Sequence, residues 1–138
     1  MSDAPTWASL KPPECEGCPL WDEPGPVWGD GPLDAALVGV GEGPAGYEIA
    51  LKRVFSGGAG RILNALLADA YIYRPNISIE NIVCCRIPND DADEFEGMEA
   101  AARHCVTHFL EPRLKEMRPK VVVPLGGWAN WALTERCS

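Results

Sequence analysis

The alternation of apolar and polar positions along the chain predicts three short buried strands separated by helices. The apolar runs lie at 34–41, 77–86 and 120–127. Each is rich in valine, isoleucine or leucine and ends beside glycine or a polar residue, which is typical of strands inside a sheet. Four apolar residues after the first run recur at helical spacing and predict an amphipathic helix over 59–72: Ile62, Leu63, Leu66 and Leu67.

The rest of the chain continues the pattern of helices between strands. We expect a short helix near 46–53 and a long helix over 94–119, which bends or breaks near Pro112 because proline lacks the backbone N–H that a helix needs. A further helix begins at Trp128. Strands that alternate with helices indicate an α/β fold, in which a parallel sheet carries helices on its faces. Ligands of such sheets bind beyond the carboxyl ends of the strands, where "GEGPAG", "CCRIPND" and "LGGW" meet.

Residues 1–33 differ from the rest because they show neither helical nor strand periodicity. We expect an extended arm over 1–33, followed by one α/β domain over 34–138. The first residues contain neither a basic start nor an apolar run, so the sequence predicts no signal peptide, no membrane segment and a cytoplasmic location. In that compartment, six cysteines are better explained as metal ligands or free thiols than as disulfides.

The net charge of −8 argues against strong binding to duplex DNA, but the charge is unevenly distributed. Residues 1–34 contain seven acids and one base, Lys11, whereas residues 35–138 contain thirteen acids and eleven bases. The larger part of the chain is therefore close to neutral, which permits a local basic groove.

The glycine-rich segment at 39–60 does not match a dinucleotide-binding loop. Pro44 stands where the third glycine of that fingerprint is required, and no acidic residue ends a second strand at the expected distance. A nucleotide-cofactor site is therefore disfavoured.

The cysteines indicate a metal site. Cys15 and Cys18 form a C-x-x-C pair in the arm, while Cys85 lies at the end of the second predicted strand and Cys105 lies on the long helix. Four thiolates from these places can hold either zinc or an iron–sulfur cluster, and both remain open at this point. The other two cysteines are expected to act as small buried hydrophobic residues: Cys84 and Cys137.

Taken together, the motifs resemble the iron–sulfur (family 4) uracil-DNA glycosylases. The matching segments are C-x-x-C, "VWGDGP", "VGVGEGPAGYE", "KRVFSGGAG", "ENIVCCRIPN", "HC" and "LGGWANWAL", in that order over about residues 15–134. The resemblance implies a three-layer α/β/α fold and base excision repair of DNA in a bacterial, archaeal or phage-infected cell. It also implies a [4Fe–4S] cluster, with zinc as the alternative, on Cys15, Cys18, Cys85 and Cys105.

The resemblance further implies roles for single residues. Phe55 would stack on a uracil turned out of the DNA, and the amide of Asn81 would bind its Watson–Crick edge. Glu42 and Glu48 occupy the two acidic positions, and Glu48 is expected to assist the attacking water. Contacts with DNA phosphates are expected from three glycines before the 59–72 helix and from one arginine: Gly57, Gly58, Gly60 and Arg86.

Each role has a structural alternative. Phe55 can close its loop over the sheet as a core aromatic residue, and Asn81 can cap a turn. Glu42 and Glu48 can be solvated loop acids. Departures from the family pattern include Glu80 before Asn81, and one acid where the family often has asparagine, Asp90.

The family's last strand and its His-Pro-Ser segment have no counterpart before Ser138. We therefore expect a C-terminally incomplete fold, whose third strand exposes an edge to another segment or protein. One hypothesis is a uracil-DNA glycosylase that works slowly without the family histidine. The second is a non-catalytic iron–sulfur module that binds single-stranded DNA or a replication or repair protein, and the third is a zinc-binding structural domain.

Overall fold

The computed structural model describes residues 6–135, so Cys137 lies outside the described residues. Three strands form one sheet: β1 (Leu37–Gly41), β2 (Ser78–Asn81) and β3 (Val121–Pro124). β1 is central, and both neighbours run parallel to it in the order β2–β1–β3. The predicted parallel sheet is confirmed, and β3 has a strand neighbour on one side only within the described part of the chain.

The helices connect and cover these strands. They are α1 (Gly46–Leu51), α2 (Gly58–Asp69), α3 (Met98–Cys105), α4 (Glu111–Met117) and α5 (Gly127–Thr134). Single 3₁₀ turns occupy Ala8–Leu10, Pro13–Cys15, Arg74–Asn76 and Pro88–Asp90. Across residues 6–135, no helix combines the length and the apolar character needed to cross a membrane.

The predicted long helix is interrupted as expected but begins later. A wider π-helical turn at Val106–Leu110 separates α3 from α4 directly before Pro112, whose missing N–H cannot bond the carbonyl one turn earlier. The predicted start at residue 94 is wrong, because 91–97 forms turns and α3 begins at Met98. Arg118 ends α4 in the left-handed conformation, with φ of 51°, immediately before Pro119.

The core lies on both faces of the sheet, as a three-layer α/β/α arrangement requires. Val38 and Val40 of β1 pack on one face with Met98 of α3. Ile79 of β2 packs on the other face with Leu67 of α2. The expected α/β/α class is confirmed.

The apolar stripe predicted on α2 is only half covered. Leu67 is buried and Leu63 packs beside it, but Ile62 and Leu66 are 65% and 61% exposed. Leu63 and Leu67 lie on the side of α2 that faces the core, whereas Ile62 and Leu66 lie on the neighbouring side, which faces away from it. The expectation of one continuous buried stripe is therefore wrong for Ile62 and Leu66.

The described part of the arm docks along β2 and the segment that follows it. Asp30 and Ile79 form an antiparallel bridge with N–H···O distances of 2.9 and 2.8 Å. The N–H of Val27 donates to the carbonyl of Cys84 at 2.7 Å, and the side chain of Leu20 is buried in the main core. The arm thus covers the sheet edge opposite β3.

Candidate functional site

Two of the predicted site residues, Phe55 and Asn81, meet over Gly41 at the carboxyl end of β1. A methyl group on Gly41 would lie 2.4 Å from Cζ of Phe55 and 2.7 Å from Oδ1 of Asn81. Gly41 and Asn81 also stand opposite each other in the β1–β2 register. Because residue 41 is a glycine, the ring of Phe55 and the amide of Asn81 can occupy the space that a side chain there would fill.

The amide of Asn81 is buried and incompletely hydrogen-bonded. The residue is 5% exposed, and its Oδ1 has no hydrogen-bond partner within residues 6–135. An unpaired buried acceptor costs about 1–3 kcal/mol, and most buried polar atoms in folded proteins are paired. Asn81 therefore presents a fixed acceptor for a ligand that carries an N–H donor.

The loop that carries Phe55 has an unusual backbone. Lys52 and Phe55 have φ angles of 55° and 49°, in the left-handed region that residues with side chains rarely adopt. Val54 between them is fully buried and holds the loop against the core. Gly60 permits this conformation, because a methyl group on it would lie 1.7 Å from the carbonyl oxygen of Phe55. Such strain at the edge of a sheet is common at functional sites.

Glu42 directly follows β1 and has a half-buried side chain. Its Oε2 lies 3.4 Å from the methyl position of Gly126, before α5, and no hydrogen bond reaches its carboxylate from the described residues. Burial, and to a smaller extent the charge of Asp93, raises the pKa of Glu42. Glu42 is therefore a carboxylate that remains available to a ligand at this edge.

Glu48 has different surroundings. Its Oε1 accepts a hydrogen bond from the N–H of Ala45 at 3.3 Å, so it closes the first turn of α1. Its Oε2 lies 2.6 Å from the methyl position of Gly57, which brings a negative charge to the start of α2. The carboxylate of Glu48 is thus hydrogen-bonded at the start of α1 and lies beside the start of α2.

The three glycines expected to contact phosphate lie at the start of α2. Gly57 precedes the helix, Gly58 begins it, and the space beside Gly58 is open to at least 4 Å. Gly60 is buried against the carbonyl of Phe55, so only its backbone N–H is available for a ligand. The first N–H groups of a helix have no partner within it, but the Glu48 carboxylate lies beside this end, so an anion at the start of α2 would have to take its place.

Arg86, the fourth expected phosphate ligand, is paired with a carboxylate. Its Nε and Nη2 donate to Oδ1 and Oδ2 of Asp90, both at 2.9 Å. The side chains are 39% and 36% exposed. Asp90 therefore occupies the guanidinium face that a phosphate would otherwise bind.

The four predicted ligand cysteines line one cavity between the arm, the segment after β2 and α3: Cys15, Cys18, Cys85 and Cys105. Gly25 lets the arm approach closely, because a methyl group there would lie 3.0 Å from Sγ of Cys85. The described cysteines are all free thiols. In residues 6–135 no three Cys, His, Asp or Glu side chains are close enough together to hold one metal ion. The four cysteines therefore lie around one cavity, but they are not close enough together to bind a single ion.

The sequence reasoning missed two residues of this cavity, Cys84 and Lys11. A thiol–thiol hydrogen bond to Cys105 raises the pKa of Cys84 and lowers that of Cys105. Lys11 is 8% exposed, and its Nζ donates to the carbonyl oxygens of Glu23 and Trp7. In the sequence, the only feature that marks Lys11 is that it is the single base among the first 34 residues.

The cavity disfavours free thiolates. Burial raises the pKa of Cys15 to about 11, and the nearby Cys105 and Cys18 add to that rise. Burial likewise raises the pKa of Cys85 to about 12, against the opposing charge of Lys11. Cys15 and Cys85 are therefore protonated at neutral pH, and a bound cation would have to displace their protons, since the thiolate is the ligand.

Comparisons with known proteins identify the family of this chain. The uracil DNA glycosylase superfamily matches residues 28–136. The type-4 uracil-DNA glycosylase of Thermotoga maritima is 38% identical over 117 residues, which are 84% of this chain and 58% of that protein. That of Pyrobaculum aerophilum is 30% identical over 122 residues, which are 88% of this chain and 60% of that protein.

The chain thus spans about three-fifths of these two relatives. The family match covers the sheet, its five helices and the candidate residues from Glu42 to Cys105, and it begins after Cys15 and Cys18. The chain therefore belongs to the uracil DNA glycosylase superfamily.

Proposed function

We propose that this chain binds DNA, holds a uracil turned out of the strand, and hydrolyses the bond between uracil and deoxyribose. The observation that carries the proposal is the buried, unpaired Oδ1 of Asn81 beside the ring of Phe55. Uracil offers an N–H donor at N3 between two carbonyl acceptors, whereas cytosine offers an acceptor at N3 and an amino donor. A fixed amide whose oxygen accepts and whose nitrogen donates therefore selects uracil.

Glu42 is the carboxylate that we assign to the chemical step. As the bond breaks, uracil leaves with the electron pair, the sugar becomes positively charged, and water adds to it with loss of a proton. An ionised carboxylate can stabilise the sugar and orient that water. The family resemblance favours Glu48 for the water, but Glu48 already caps α1, whereas the carboxylate of Glu42 is free of hydrogen bonds from residues 6–135.

The DNA strand would be held at the start of α2 and beside Arg86. The N–H groups of Gly57, Gly58 and Gly60 would supply donors for one phosphate, in place of the Glu48 carboxylate that lies beside them. Arg86 would supply a second contact if a phosphate replaces Asp90. We expect single-stranded DNA to bind better than duplex DNA, because the net charge of −8 disfavours a long phosphate contact.

We also propose a [4Fe–4S] cluster on Cys15, Cys18, Cys85 and Cys105. The donor set fits, because four thiols line one cavity and Sγ of Cys18 accepts a hydrogen bond from the N–H of Leu20 at 3.4 Å. Zinc would need all four sulfurs about 2.3 Å from one ion. In a four-iron cluster each thiolate would bind a different iron, so the four sulfurs need not surround a single ion. When bound, the cluster would link the arm to α3.

The test of the activity is uracil release from a single-stranded oligonucleotide that contains one uracil, with the full chain purified without oxygen. The Asn81→Ala and Phe55→Ala variants should release uracil at least about 10-fold more slowly, whereas the variant of an exposed asparagine on α5, Asn130→Ala, should keep the wild-type rate. An oligonucleotide with thymine in place of uracil is the substrate control. Folded wild-type protein that releases no uracil would refute the enzyme and favour a DNA- or protein-binding module.

The test of the cluster uses two adjacent cysteines. Cys85→Ser should abolish bound iron and sulfide and the visible absorption of a cluster, whereas Cys84→Ser should retain them. Zinc bound in place of iron by the protein purified without oxygen would overturn the cluster. If both variants lost iron and sulfide equally, the assignment of Cys85, and not Cys84, as the cluster ligand would be overturned.

A further inference from the structure

We infer that Arg74 is a positioning residue, which holds the backbone of Phe55 so that the ring lies over Gly41. The inference rests on the proposed function, in which Phe55 stacks on the base. Nothing in the sequence motifs marks Arg74, which lies in a 3₁₀ turn before β2.

The contacts of the Arg74 guanidinium converge on the Phe55 loop. Nη1 donates to the carbonyl oxygen of Phe55 and Nη2 to that of Val54, both at 3.0 Å. Nη1 also donates to Oδ1 of Asn64 on α2 at 2.7 Å. One side chain thus joins two successive carbonyls of the loop to the helix that follows it.

Only arginine can make this set of contacts. Its planar guanidinium presents donors at fixed spacing, whereas lysine offers one flexible ammonium group that cannot bridge the same carbonyls with that geometry. The two carbonyls flank the φ of 49° at Phe55, a conformation that costs energy and persists only when its surroundings enforce it. Without Arg74 the loop can relax toward an ordinary backbone conformation, and the ring would move away from Asn81.

The inference predicts that Arg74 acts through Phe55 and not independently of it. We expect Arg74→Gln to lower kcat/KM for the uracil oligonucleotide by about 10- to 100-fold, the range that loss of base stacking produces. In Phe55→Ala protein, adding Arg74→Gln should cause little further loss, because the group that Arg74 positions is already absent. Arg74→Lys should be intermediate. Arg103→Lys and Arg103→Gln, on the exposed face of α3, are the matched controls.

A spectroscopic measurement keeps the inference separate from the proposed function. The chain contains three phenylalanines, so fluorine NMR of fluorophenylalanine-labelled protein should give three signals, with that of Phe55 identified by its loss in Phe55→Leu. Arg74→Gln and Arg74→Lys should shift or broaden the Phe55 signal and leave those of Phe95 and Phe109 in place.

An unchanged Phe55 signal in both Arg74 variants would overturn the inference, whatever the activity. Losses in kcat/KM that multiply in the double variant would also overturn it, because Arg74 would then act independently of Phe55. If the wild-type chain releases no uracil, the proposed function fails, and the fluorine signals alone decide whether Arg74 positions the ring.

Discussion

The ring of Phe55 and the amide of Asn81 lie against the same face of Gly41, so a methyl group on Gly41 would come within 2.7 Å of both. We expect Gly41→Ala to displace the ring or the amide and to lower uracil release at least about 10-fold, since base stacking contributes about 1–3 kcal/mol. The added methyl should also lower the free energy of unfolding by about 1–3 kcal/mol.

The matched control lies two residues earlier in the same strand. A methyl group on Gly39 would meet only the ends of the Ile79 and Leu125 side chains, at 3.3 and 3.4 Å. Gly39→Ala should therefore retain most of the activity, as measured by single-turnover release and thermal unfolding. Equal effects of the two substitutions would contradict the proposed uracil site at Phe55 and Asn81.

Asp93 is expected to set the acidic limit of activity through Glu42. Burial is the larger cause of the raised pKa of Glu42, and the charge of Asp93 is the smaller. Because the proposed step uses the ionised form of Glu42, release should fall as pH decreases through its raised pKa. Asp93→Asn removes one cause, lowers the pKa of Glu42, and should shift the acidic limb of kcat/KM to lower pH.

Glu96→Gln is the control for that profile, because Glu96 is an exposed acid of the same segment and does not contribute to the pKa of Glu42. Asp93 also accepts a hydrogen bond from Nε1 of Trp128 at 2.9 Å, which an asparagine oxygen can still accept. An acidic limb that stays in place in Asp93→Asn would exclude Glu42 as the titrating group or Asp93 as its neighbour.

Asp90 is expected to weaken DNA binding by occupying Arg86. Asp90→Asn removes one negative charge and the two charged contacts that hold the guanidinium. Affinity for a single-stranded oligonucleotide should rise a few-fold, and the salt slope should steepen by about 0.7 for one added phosphate contact. Asp69→Asn, a remote acid at the end of α2, changes the net charge equally and should leave the slope unchanged. Fluorescence anisotropy at several salt concentrations distinguishes these outcomes.

Lys11 is expected to compensate the negative charge of the proposed cluster. Its buried ammonium group lines the cysteine cavity and is held by the carbonyls of Glu23 and Trp7. Removing a positive charge makes addition of an electron less favourable, so Lys11→Met should bind iron but show a more negative midpoint potential. Lys120→Met, at an exposed site, is the control. A midpoint potential that is the same in Lys11→Met and wild type would exclude this role.

Much of the architecture was predictable because it depends on local patterns. Short apolar runs predicted the three strands, although the second ends at Asn81 and not at residue 86, and the parallel order follows from the helices between them. The break before Pro112 and the end at Pro119 follow from the missing proline N–H. The start of α3 was not predictable in this way, because the acidic segment before it has helical composition but folds into turns.

The sequence by itself determined the fold class, the edge at which the site lies, and the residue types gathered there, because periodicity and motif spacing report local conformation. Only the tertiary structure decided which side chains are paired. It engages Arg86 with Asp90 and Glu48 with α1, adds Cys84 and Lys11 to the cysteine cavity, and leaves Oδ1 of Asn81 unpaired. The cysteine cavity joins segments far apart in the chain. The Arg86–Asp90 and Glu48–Ala45 contacts link residues only three or four positions apart, but their geometry depends on the turn and the helix that the fold imposes there, which the pattern of apolar and polar positions does not encode.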